Sequence, residues 1–178
     1  MFNFFKKSKP ALANKLLDLS SDASEQFLNY LKEDSVLYGK CINDNPIRNT
    51  SFIFVLNLYR DVLLTKYNHE DVFFVVRTAI LSSSTNKASQ EMAWTTLVDY
   101  MKICKEAIET YKEYPDFDSA DILTKVYFAL VIDDKEYMQN EWESSIPLSV
   151  SYRKIYNYIN GIGKWTPLLD DNYNLRLK

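Results

Sequence analysis

Between Phe52 and Leu64 the chain places apolar side chains on nearly every side of a helix: Phe52, Ile53, Phe54, Val55, Leu56, Leu58, Tyr59, Val62, Leu63 and Leu64. A helix that is apolar all round has to be surrounded by other elements, so this segment predicts a central, buried helix. Asn57, Arg60 and Asp61 interrupt it at spacings of three and four, which puts them on one polar stripe. Those interruptions and its shortness rule it out as a bilayer span. Thr50 or Ser51 is its expected cap, and Lys40 to Asn49, with Asn43-Asp44-Asn45-Pro46, is the expected loop before it.

The surrounding elements are also expected to be helices. Pro10 suits the start of a short helix carrying Leu12, Leu16 and Leu17. The polar run Ser20 to Ser24 reads as a break, with Asp22 or Ser24 capping a second helix that turns Phe27, Leu28 and Leu31 inward and ends at Gly39. Asn68, with Asp71 three residues on, marks another capped start. Its body, Val72-Phe73-Phe74-Val75-Val76, is β-branched and aromatic enough for a buried strand. Helix is preferred because no partner strand is evident.

The clearest period comes after the polar linker Ser82 to Asn86. Trp94, Leu97, Val98, Met101, Cys104, Ile108 and Tyr111 recur at three and four residues, with charged residues between them, predicting an amphipathic helix from about Ser89 to Tyr114. Asp118 and Asp121 then open a helix with Ile122, Leu123, Val126, Tyr127, Leu130 and Val131 inward. After Pro147 a last helix carries Tyr152, Ile155, Tyr156 and Ile159, and Lys164 to Lys178 has no period. The expectation is an all-α, single-domain bundle of about six to eight helices spanning residues 1–178. Residues 1–9 are expected to fray or dock on the core, and 164–178 to form an irregular tail.

Composition narrows the function. Three glycines and five prolines in 178 residues are too few for the turns of an all-β sandwich or barrel. With only Gly161 and Gly163 close together, no P-loop or dinucleotide fingerprint can be written. A net charge of -3 and a pI of about 5.3 weigh against nucleic acid. Cys41 and Cys104 fit no zinc spacing and suggest reduced thiols in a cytoplasmic protein. In Met1 to Pro10 the aromatics precede the lysines, the reverse of a secretory signal.

The chain has one histidine, His69, placed in a turn, so histidine-based metal, di-iron and triad sites are not expected. Cys104 lies on an apolar stripe and reads as inert packing. No cofactor, metal or catalytic residue is expected. Carboxylates remain: Asp133, Asp134, Glu136, Glu141 and Glu143 lie within eleven residues, interleaved with Tyr137 and Trp142. Their spacing matches no calcium loop. Clustered carboxylates attract a basic partner, and Tyr and Trp are the residues that anchor interfaces.

The resulting expectation is a non-enzymatic protein that binds another protein through Asp133, Asp134, Glu136, Glu141, Trp142 and Glu143, the partner presenting a basic surface. By analogy with small, acidic, motif-free helical proteins, a bacterial immunity-type inhibitor that masks a toxin is the leading specific reading. A small helical enzyme or ligand-binding domain using carboxylates and aromatics is the alternative, and a structural or regulatory subunit the third.

Overall fold

The computed structural model describes residues 7–32, 44–113, 120, 122–124, 126–127, 157–158, 161 and 173–178, of which 30–32 and 44–47 by backbone alone. Four long helices run through them: α1 (Lys9–Lys32), α2 (Asp44–Leu64), α3 (His69–Ser82) and α4 (Lys87–Tyr111). Residues 120, 122–124, 126–127, 157–158 and 161 are also helical. The described residues contain no strand, only two isolated bridges. The class is all-α, as expected; the described residues do not establish a bundle of six to eight helices.

Helix α2 is the centre. Ile53 to Leu56, Leu58, Tyr59, Val62 and Leu63 are all buried, and α2 packs on α1, α3 and α4. It begins earlier than the sequence suggests. Pro46, expected in a loop, lies in its first turn, where the missing N–H costs nothing. Ser51, an expected cap, is instead interior and buried, its hydroxyl 2.9 Å from that of Tyr127. Residues 40–43 lie outside the described residues.

Helix α1 corrects a second expectation, since it runs unbroken through Ser20 to Ser24. Leu12, Leu16, Ser20, Ser24 and Phe27 succeed one another at helical spacing, and all five are buried. The serines therefore continue the inward stripe as small residues. The Ser24 hydroxyl turns back to the carbonyl of Ser21 at 2.9 Å, which satisfies it inside the helix. Serine costs a helix only a few tenths of a kcal/mol, and tertiary packing overrides that. Leu31 and the expected end at Gly39 fall on residues whose side chains or backbone lie outside the description.

The capped start of α3 is as expected: the Asn68 side chain accepts from the Glu70 N–H at 2.9 Å. Residues 72–76 are helical rather than strand. Helix α4 starts two residues before the expected Ser89, capped by Asn86, which accepts from the N–H groups of Ala88 and Ser89. Its inward face is rotated from the expected one. Tyr100 and Ala107 are buried, while Val98 and Ile108, expected inside, are 37% and 36% exposed.

Ile122, Leu123, Val126 and Tyr127 are buried as expected; Leu130 and Val131 lie outside the described residues. Tyr127 joins an aromatic cluster at the core, its ring centroid 4.7 Å from Phe54 and 5.3 Å from Phe27. Tyr158 completes that cluster, 4.6 Å from Phe27, and its hydroxyl donates to the Ala23 carbonyl at 3.1 Å. Tyr158 is thus partly buried against the core.

The described end of the chain, residues 173–178, is tied down. Tyr173 and Leu175 are buried. The Asn174 N–H donates to the Lys7 carbonyl, the Asn68 N–H to the Arg176 carbonyl, and the Lys178 N–H to the Lys66 carbonyl. At the centre of this seam Asp71, 2% exposed, takes Lys9 Nζ at 2.6 Å, the Arg176 N–H at 2.8 Å and Arg176 Nη2 at 3.0 Å. The carboxylate expected to mark a helix start thus locks three segments together.

Candidate functional site

The polar stripe of α2 faces a groove. Asn57, Arg60, Asp61 and Leu64 form one wall, and Val98, Met101, Lys102, Cys104, Lys105, Ile108 and Glu109 of α4 the other. His69 and Leu123 also line it, and its volume is about 540 Å³. The stripe at spacings of three and four that interrupts an otherwise apolar helix therefore has a structural outlet.

Most charges along the groove are already matched. Arg60 holds Asp61 through Nε at 3.1 Å and Nη2 at 2.6 Å. Lys102 lies 3.9 Å from Glu106, and Glu109 takes Lys112 Nζ at 2.7 Å. That bond to Lys112 lowers the Glu109 carboxyl from its ordinary value. The floor is less satisfied. Asn57 is 1% exposed, and its Oδ1 has no hydrogen-bond partner among the described residues. Behind it the buried Tyr100 hydroxyl lies beside the Cys104 thiol. Burial pushes the Cys104 thiol up to about 12, so it stays protonated and is no nucleophile at neutral pH.

A narrow seam lined by Arg60, Leu64, His69, Val72, Phe73, Val76, Trp94 and Met101 continues the groove towards the outside of α3. There Phe73, Phe74, Arg77 and Leu81 share one face at helical spacing. Phe73 is 40% and Phe74 48% exposed, and Met92 on α4 is 70% exposed. Phe73 meets Trp94 edge-on at 5.0 Å, and the Arg77 guanidinium lies 5.6 Å over the same indole. Lys9 Nζ lies 5.8 Å from the Phe74 ring. In the helix that the sequence favours for this run, Phe73 and Phe74 lie outside. Their adjacency hides the face they form, because a helix rotates about 100° per residue and Val72, Val75 and Val76 already supply the inward side.

The acidic residues expected to form a site, Asp133, Asp134, Glu136, Glu141 and Glu143, lie with Trp142 outside the described residues. His69, expected in a turn, is exposed as the first residue of α3. Among the described residues no group of three or more His, Cys, Asp or Glu is placed to hold a metal ion, and no helix is long and apolar enough to cross a membrane. Comparisons with protein-family models, curated proteins and solved structures find no match to this chain.

Proposed function

We propose that this chain is a non-enzymatic protein that acts by binding another protein, and that the outer face of α3 is part of the contact. The carrying observation is the pair Phe73 and Phe74, exposed side by side on α3. Large exposed aromatics that adjoin one another mark interaction surfaces, and isolated ones do not. Arg77 and Trp94 sit against them, and Trp and Arg are the types enriched where binding energy concentrates.

The acidic stretch from Asp133 to Glu143 supplies the steering charge in this reading, drawing in a partner with a basic surface. The narrower proposal is an immunity-type inhibitor that covers a toxin's active surface, on analogy with other small acidic helical proteins. Coexpression with the product of the adjacent gene tests both. A stoichiometric complex and relief of growth arrest are expected. Phe73→Ser/Phe74→Ser, shown folded by circular dichroism, is expected to lose the complex. Asp134→Lys/Glu136→Lys is expected to slow association, most strongly at low salt. Relief without a complex sinks the binding reading, and a complex without relief sinks the immunity reading alone.

A further inference from the structure

Tyr173-Asn174-Leu175-Arg176-Leu177-Lys178 alternates bulky and polar side chains as far as Arg176. The fold uses that alternation: Tyr173 and Leu175 are buried, while Asn174, Arg176, Leu177 and Lys178 are exposed. The segment is not helical. It turns tightly at Asn174, where the Leu175 N–H reaches the Tyr173 carbonyl at 3.0 Å, and bridges Lys7 on one side and Tyr67 on the other. One wall of its path is Lys7 with the first turns of α1, and the other is the stretch from Lys66 to Asp71 that leads into α3. Helices α1 and α3 pack directly on each other, so the walls do not depend on the segment between them.

The contacts divide as those of a bound peptide do. Along the main chain the Asn174 N–H donates to the Lys7 carbonyl at 3.0 Å and the Lys178 N–H to the Lys66 carbonyl at 3.1 Å. The Arg176 carbonyl accepts from the Asn68 N–H at 2.7 Å. Such bonds hold any sequence in this path. Side chains then select. The Tyr173 ring lies within reach of two ammonium groups, Lys7 Nζ at 5.7 Å and Lys15 Nζ at 5.8 Å, which favours an aromatic there. Leu175 joins the apolar core. Arg176 Nη2 lies 3.0 Å from Asp71 and 2.7 Å from Glu70, a two-carboxylate grip suited to a planar guanidinium. Main-chain bonds for affinity with pockets for alternate side chains are how folds take up extended segments of other proteins.

We propose that this seam is a peptide-recognition groove filled by the chain's own tail, and that it accepts instead a partner segment of the order aromatic, spacer, aliphatic, arginine. The occupant's chemistry is read from the tail itself. Two of its six side chains are buried, and its main-chain bonds go to Lys7, Lys66, Asn68 and Asp71, all outside α2 and α4. The groove therefore exchanges its occupant while the central helix stays packed. Held in place, the tail is a built-in competitor, and a partner engages only by displacing it. The groove stands independently of the contact assigned to Phe73 and Phe74.

The test uses the full chain and a synthetic peptide of residues 171–178. A tethered tail competes at an effective concentration on the order of millimolar, so the free peptide is supplied at several times that. In the isotope-labelled parent, unlabelled peptide is expected to lower the hydrogen-exchange protection of the tail amides Asn174 and Lys178 by about tenfold or more. The Asn68 amide, taken over by a peptide carbonyl, is expected to stay protected. A full-length Tyr173→Ala/Arg176→Ala variant, its tail weakened as a competitor, is expected to bind fluorescein-labelled peptide about tenfold more tightly than the parent does. Peptides carrying Tyr173→Ala or Arg176→Lys are expected to bind that variant several-fold more weakly, and a scrambled peptide not at all. Loss of Asn68 protection together with the tail amides means that the peptide opens the fold, and the proposal fails. It fails equally if the scrambled peptide binds as well, or if the folded variant does not bind the peptide. Should the variant not fold, exchange in the parent decides alone, and unchanged tail protection there overturns the proposal.

Discussion

Arg176 closes on Asp71 across 105 positions of sequence, giving the buried carboxylate one backbone and two side-chain hydrogen bonds. Lys9 reaches the same carboxylate from the start of α1. One side chain near the beginning of α3 therefore fixes the positions of two segments that are remote from it in sequence.

Removing that carboxylate should loosen both segments. Asp71→Ala is expected to destabilise by about 1–3 kcal/mol, the usual cost of losing charge-assisted hydrogen bonds at a buried position. Arg176→Ala should lower the denaturation midpoint in the same direction, because it leaves Asp71 buried with Lys9 as its remaining charged partner. Urea titration checks both, and hydrogen exchange should show Asn68 and Lys178 amides losing protection in each variant.

The same clamp sets a pH dependence. The Arg176 guanidinium, with its backbone N–H and Lys9, holds the Asp71 carboxyl well below the ordinary value of 3.8, against the opposing effect of burial. A carboxyl depressed in the folded state contributes stability that is complete above its unfolded value and lost as pH falls through the folded one. Stability should therefore drop on acidification below about pH 4. Asp71→Asn should flatten that part of the profile, and unchanged slopes in the two proteins would count against the clamp.

Helix α2 can be tested by truncation. Leu56 is fully buried between the surrounding helices, so Leu56→Ala should cost about 2–5 kcal/mol in chemical denaturation. A loss below about half a kcal/mol would mean that α2 is not the packed centre.

Cys104 gives a chemical readout of the same core. Buried on α4, with its thiol pushed up to about 12, it should resist alkylation at pH 8 in the native protein and react only on unfolding. The measurement is made in a Cys41→Ser background, so that modification reports on Cys104 alone. Rapid native labelling would show that the α2–α4 layer opens.

The parts of the fold legible in the sequence are those that each residue encodes locally. Phe52 to Leu64 announces a surrounded helix because no other environment accommodates so many apolar side chains, and α2 is buried on nearly every side. Asn68 announces a cap because its role is local. Ser20 and Ser24 mislead, because a serine in a turn and a serine filling a narrow helix contact are the same letter. Pro46 misleads likewise, since a first-turn proline and a loop proline differ only in the conformation of the residues after them.

The groove and the Asp71 clamp are not legible. Asn57, Arg60 and Asp61 show as a stripe, but the stripe does not say which helix will face it. Lys105 meets that stripe only after α4 packs on α2. Asp71 reads as a helix-start residue because its partners, Lys9 and Arg176, are 62 and 105 positions away.

That distance also has a consequence for how the protein is made. A ribosome releases Lys9 and Asp71 long before Arg176, so the emerging chain can assemble α1 to α4 while the carboxylate still lacks most of its hydrogen bonds. Chains that stop short of Arg176 keep the first turn of α3 uncovered, without the carbonyl that takes the Asn68 N–H or the side chains that seal Asp71. Cutting the chain before Arg176 is therefore expected to speed proteolysis at the start of α3, measured against the uncut chain.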